Sequence, residues 1–143
     1  MSTPSRLPAD YPIWLLQLSS LFMKYRPKTN EEPGSGWFDK TAYQGHIAYA
    51  QNPVRSAAEL KKLTLAMRTA LPKVNVPVLL MHSKDEIYVL PENMEIICAG
   101  LVNTTDKTKL YITGSGHVLT RDASREQVFK STVEFIQRVS TQK

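Results

Sequence analysis

Apolar residues recur at three- and four-residue spacing over 11–26, where Trp14, Leu15, Leu18, Leu21, Phe22 and Tyr25 predict a helix. An irregular lead-in over 1–10 carries Pro4 and Pro8 ahead of it. Pro27, Pro33, Gly34 and Gly36 then break any regular period over 27–41. Residues 42–51, with Tyr43, Ile47 and Tyr49, read as a short helix or an irregular segment. Ser56 and Glu59 have the spacing of a capping box, and Leu60, Leu63, Met67, Ala70 and Leu71 follow at helical spacing until Pro72. The first half is thus expected to be wholly helical and loop-like.

The pattern changes near residue 73. VNVPVLLMH, residues 74–82, is short, rich in β-branched residues and apolar on both alternating faces, which suits a buried strand of a parallel sheet over 76–81. Pro91-Glu92-Asn93 opens a helix running to about Leu101, and a polar turn over 103–108 leads to a second strand, KLYIT, at 109–113. Beyond Gly114-Ser115-Gly116-His117, Asp122 is positioned to cap a long helix carrying Val128, Phe129, Val133 and Ile136 on one side. Strand, helix, strand, helix in that order is a βαβα pattern with a parallel pair. Two strands alone leave both sheet edges open and bury little, so further strands are expected from another chain or from another part of a larger protein.

Composition narrows the function classes. The chain has 143 residues, 42% apolar and 22% charged, enough for one sizeable core. Its net charge of +5 is spread along the sequence without a basic patch, which argues against nucleic acid as a partner. The single cysteine, Cys98, lies in an apolar run and excludes an intrachain disulfide and a cysteine-based zinc framework. The three histidines, His46, His82 and His117, match no metal-ligand spacing, and the two Gly-Ser-Gly stretches lack the length and lysine of a phosphate loop. The amino-terminal residues show no export signal and no apolar stretch long enough to span a bilayer, so a cytoplasmic location is expected.

The chemistry-bearing residues collect after the strands, where open parallel sheets gather their functional groups. His82-Ser83-Lys84-Asp85-Glu86 follows the first strand and Gly114-Ser115-Gly116-His117 the second. A carboxylate from the first loop can fix the tautomer of His117, leaving its other nitrogen to take a proton. The competing reading makes His117 a surface loop histidine and Asp85-Glu86 a solvated turn. Trp37 and Phe38, beside a glycine-rich turn, either anchor that turn to the core or line a cleft, and the anchor reading is favoured.

Over about 72–139 the chain resembles the carboxy-terminal part of the α/β-hydrolases, and within them the bacterial carboxylesterase and monoacylglycerol-lipase-like group. VPVLLMH matches the strand before the triad acid, and counting without a gap from His82 puts the acid at Glu86, with Asp85 as the neighbouring candidate. Ser115-Gly116-His117-Val118-Leu119-Thr120-Arg121-Asp122 matches the family's histidine loop. The family usually has Asp at the acid position, so Glu86 is a departure. A larger one is the nucleophile: no G-x-S-x-G occurs in these residues, and neither Ser83 nor Ser115 stands on such an elbow. The oxyanion-hole segment has no counterpart either.

The resemblance implies an α/β fold class, with residues 73–143 as the carboxy-terminal strand-helix-strand-helix part of a hydrolase core and residues 1–72 as a helical cap or lid segment. It implies a carboxylic ester as substrate and no cofactor, with His117 and Glu86 or Asp85 as catalytic groups. Trp14, Leu18, Phe22, Trp37 and Phe38 then become candidates for the acyl pocket, with ordinary helix packing as the equal alternative. The nucleophile is expected from a second chain or an amino-terminal half, and the open sheet edge is also where a second copy of the chain would add. The alternative function is a non-catalytic remnant or subunit that binds an acyl ligand or a partner through that edge. A hydrolase of amide or carbon–carbon bonds would carry the same acid–base pair.

Overall fold

The computed structural model describes residues 4, 11–28, 32 and 34–141. Most of the lead-in over 1–10, and Pro33 of the following loop, lie outside the described residues.

The first helix, α1, is Ile13–Phe22, shorter than the expected 11–26. Met23 is extended (φ −130°, ψ 108°), and the chain goes on into a short strand, β1, at Tyr25–Pro27. Pro27 disfavours helical geometry at Arg26, which is enough to end a helix whose apolar spacing otherwise continues. The loop then leads to α2 (Lys40–Gln44) and a second short strand, β2 (Gln51–Pro53). β1 and β2 pair antiparallel, Tyr25 opposite Pro53 and Pro27 opposite Gln51. This corrects the expectation of a wholly helical and looped first half. Three-residue strands that each end in proline are too short to show an alternating period.

The long helix α3, Val54–Ala70, begins two residues before Ser56. The expected capping box does not form: Pro53 is the cap residue, Ser56 Oγ donates back to the Pro53 carbonyl at 2.6 Å, and Glu59 meets Lys62 Nζ at 3.1 Å. Pro53 carries no side-chain acceptor, and the Val54 N–H donates instead to the Lys24 carbonyl at 3.1 Å, so the helix starts there without a side-chain cap. Pro72 ends it as expected, within a 3₁₀ turn at Leu71–Lys73. α1 packs on α3.

In the second half β3 is Val78–Ser83, α4 Glu92–Gly100, β4 Lys107–Ile112 and α5 Arg125–Ser140. The strands are parallel, with Val78 opposite Lys107 and Ser83 opposite Ile112. The strand, helix, strand, helix order is therefore as read, with β3 shifted two residues toward Glu86 and β4 beginning two residues before the expected Lys109. Among the described residues this sheet has two strands. Its edges differ in chemistry: β4 carries exposed Lys107 and Lys109, the residues that protect sheet edges, while Val78-Leu79-Leu80-Met81 of β3 is apolar throughout.

The core lies between this sheet and α5. Ile112, Leu119 and Val128 are buried together, with Met81 and Leu110 against them. Of the expected apolar stripe on α5 only Val128 is buried, while Phe129, Val133 and Ile136 remain about half exposed. Asp122 does not cap α5: the cap residue is Ser124, whose Oγ donates to the Thr113 carbonyl at 2.7 Å. The Asp122 carboxylate is used elsewhere.

Candidate active site

Because Ser83 stands opposite Ile112, the loops after β3 and β4 leave the sheet side by side. Side-chain and backbone bonds join them. Lys84 N–H donates to the Ile112 carbonyl at 2.8 Å, and Ser83 Oγ makes a short bond to the Ser115 carbonyl while accepting Asp85 N–H at 2.8 Å. Asp85 Oδ2 accepts the N–H of Gly114 at 2.8 Å, at a turn whose φ of +70° favours glycine.

The carboxylate that reaches His117 is that of Glu86. Its Oε2 lies 2.6 Å from His117 Nδ1, and its Oε1 accepts Tyr88 N–H at 2.8 Å. The Glu86 side chain is fully buried, whereas that of His117 is 35% exposed. Asp85, adjacent in sequence, is turned to Gly114 instead. The ring meeting His117 is that of Tyr88, edge-on at 5.6 Å between centroids and 82° between planes. Tyr88 escaped the sequence reading, in which the count from His82 stopped at the acid. With Nδ1–H donated to that buried carboxylate, Nε2 is left as the proton acceptor.

A second buried carboxylate holds the histidine loop from behind. Asp122 is 0% exposed, and its oxygens accept the backbone N–H groups of Gly116 (2.6 Å), Asp39 (2.7 Å), Ala123 (2.8 Å) and Phe38 (3.0 Å). Two of these donors belong to the loop after Gly36, which therefore lies directly on the histidine loop. Asp39 in turn caps α2 through Ala42 N–H at 2.9 Å and pairs with Arg125 Nη1 at 3.0 Å. The Ala42 N–H, and after it Arg125, hold the Asp39 carboxyl below its ordinary value. A depressed carboxyl pKa stabilises the folded state above the unfolded value and ceases to do so as the pH falls through the folded one. The difference in thermal midpoint between wild type and Asp39→Asn is thus expected to be largest near neutrality and to close below pH ~4. A gap that stays constant down to pH ~3 would contradict that assignment.

The five candidates for an acyl pocket are dispersed. Trp14 (64% exposed), Leu18 and Phe22 (86% exposed) lie on α1. Trp37 is buried against Tyr43 and His46, with centroids 5.9 and 5.0 Å away, so it anchors its loop as the favoured reading had it. Phe38 contributes its backbone N–H to Asp122 and leaves its ring half exposed. His82 is buried at the end of β3 with Nδ1 2.8 Å from the Ser83 carbonyl oxygen. No helix among the described residues is long and apolar enough to cross a membrane.

No family model matches the chain. Over 89 residues it is 28% identical to a thermostable monoacylglycerol lipase of Bacillus sp. (strain H-257), a stretch covering 62% of this chain and 35% of that protein. Among solved structures, a metagenome-derived lipolytic enzyme described with the pair LipS and LipT aligns over 94% of this chain and 52% of its own, with TM-score 0.74 and 24% identity. The Paleococcus ferrophilus monoacylglycerol lipase aligns over 94% and 56% with TM-score 0.69 and 16% identity. The chain thus spans about a third of the curated lipase and about half of each structure. On this topology and these likenesses, the chain has part of an α/β-hydrolase fold and resembles the monoacylglycerol-lipase-like hydrolases.

Proposed function

We propose that the chain supplies the acid and base, Glu86 and His117, of a serine hydrolase acting on carboxylic esters, with the serine carried outside these 143 residues. The observation that carries this reading is the 2.6 Å contact between His117 Nδ1 and the buried Glu86 carboxylate. His117 Nε2 would take the proton of the serine hydroxyl as it attacks the ester carbonyl, and the imidazolium would return it to the departing alcohol. Water then attacks the acyl-enzyme by the same route in reverse. Glu86 holds the Nδ1–H tautomer and stabilises the imidazolium. Residues 1–72 serve in this reading as a cap, with the apolar face of α1, including Trp14, Leu18 and Phe22, on the acyl side. A monoacylglycerol or a simple acyl ester is the substrate class that fits.

The pair is tested in the chain alone by proton NMR. A downfield His117 Nδ1–H resonance is expected in wild type and in Asp85→Asn, and is expected to vanish in Glu86→Gln. Its survival in Glu86→Gln, or its loss in Asp85→Asn, would assign the acid wrongly. The reaction is tested by co-expression with the amino-terminal half of the Bacillus lipase, using p-nitrophenyl butyrate and a fluorophosphonate probe. Hydrolysis and labelling of the serine in that half are expected, with hydrolysis lost in His117→Ala. Hydrolysis unaffected by His117→Ala sinks the proposal, and no hydrolysis favours a non-catalytic binding subunit. A burst of product and an adduct on the isolated chain would show that the nucleophile is its own.

A further inference from the structure

We propose that Asp122 is a positioning residue for His117, setting the imidazole from its backbone side while Glu86 sets it from the ring side. The inference rests on the reading of Glu86 and His117 as an acid–base pair. Glu86 fixes rotation about the ring by its bond to Nδ1, but a hydrogen bond to one ring atom does not fix where the Cα stands. That is determined by Gly116, the residue immediately before. Gly116 N–H donates to Asp122 Oδ2 at 2.6 Å, and on its other side the Gly116 Cα faces the Gly36 carbonyl so closely that a Cβ there would lie 1.6 Å from that oxygen. Gly116 is held between a fully buried carboxylate and a backbone, and His117 inherits that placement.

The two Asp122 oxygens have unequal duties. Oδ1 accepts Asp39, Ala123 and Phe38 N–H at 2.7, 2.8 and 3.0 Å, whereas Oδ2 accepts Gly116 at 2.6 Å and shares Phe38 at 3.3 Å. Asp122→Asn is nearly isosteric but keeps a single acceptor oxygen. Three of the donors favour placing that oxygen at the Oδ1 position. The amide NH₂ then faces the Gly116 N–H, donor against donor. The substitution therefore releases the histidine loop selectively while retaining most of the attachment to Phe38 and Asp39. A displacement of ~1 Å at a proton-transferring group costs on the order of 100-fold in rate, so this bond bears on catalysis and not only on folding.

The test uses the full chain and amide-resolved NMR. In folded Asp122→Asn the Gly116 amide is expected to exchange at least ~10-fold faster, a step of about 1.4 kcal/mol in local opening. The Phe38 and Asp39 amides are expected to stay within a few-fold of wild type. The His117 Nδ1–H resonance is expected to broaden or move upfield. Arg125→Gln, which breaks the pair with Asp39 outside this contact, is expected to leave that resonance in place. A folded Asp122→Asn with unchanged Gly116 exchange and an unchanged resonance overturns the inference. If that variant does not fold, wild type is warmed instead. Gly116 exchange and loss of the Nδ1–H signal are then expected to set in together, and a freely exchanging Gly116 beneath a sharp Nδ1–H signal overturns it. Failure of the underlying acid–base reading looks different: wild type itself then lacks a resonance that depends on Glu86.

Discussion

Removing the Asp122 carboxylate altogether, in Asp122→Ala, is expected to destabilise the chain by about 4 kcal/mol. Four backbone N–H groups, from Phe38, Asp39, Gly116 and Ala123, lose their acceptor at once. Each donor left unpaired in the interior costs on the order of 1–3 kcal/mol. The total falls below the simple sum because truncation opens room for water to reach some of them. Loss of packing adds little, since only a small polar side chain is removed. Equilibrium urea unfolding of both proteins measures the difference, and a loss below about 1 kcal/mol would show that the four bonds are replaceable.

Gly116→Ala is expected to cost about 3 kcal/mol by a different route. The new methyl would lie 1.6 Å from the Gly36 oxygen, 2.8 Å from the Gly36 carbonyl carbon and 3.3 Å from Asp122 Oδ2. The two nearest obstacles are backbone atoms, which cannot rotate aside as a side chain can. Either the loop of Gly36, Trp37 and Phe38 retreats, stretching its bonds to Asp122, or the histidine loop does. A gain of about 0.4–1 kcal/mol from the less flexible unfolded chain is too small to offset this. At the other extreme, a Cβ at Gly45 would meet nothing nearer than Arg121 Nη2, at 3.4 Å, the end of a flexible side chain. The thermal midpoint of Gly116→Ala is expected to drop by roughly 10 °C. An unchanged midpoint would mean that the contact between the two loops yields easily.

How much of this could be read from the sequence depended on the distance between the residues involved. The contact between Glu86 and His117 was legible because each residue sits in a short run next to a recognisable strand, and counting from His82 separated Glu86 from Asp85. The βαβα order was legible for the same reason, since hydrophobic period and punctuation by Pro, Gly and Asn are local. β1 and β2 were not, because their pairing joins Tyr25 to Pro53 with no alternation in either strand. The start of α3 was misplaced because Ser56 and Glu59 have the capping spacing, yet Pro53 already opens a helix. Asp122 is the clearest case. A lone Asp before an amphipathic helix reads as a cap, and its partners Asp39 and Phe38 are 83 and 84 positions away. Only the fold brings them together, and the available signal was that the histidine motif itself ends on this Asp.

The unequal edges of the two-stranded sheet bear on how chains meet in a crowded solution. On β4, Lys109 is paired with Glu95 at 2.7 Å and Lys107 donates to the Leu101 carbonyl at 3.0 Å, so a second strand would have to strip water from a polar edge. Among the described residues the outer edge of β3 pairs with no strand, and its Val, Leu and Met make it a template on which extended apolar segments can add. Growth from this unit is therefore one-sided. A single strand added at β3 extends the sheet by one, whereas an unchecked succession of them at the same edge begins a fibre.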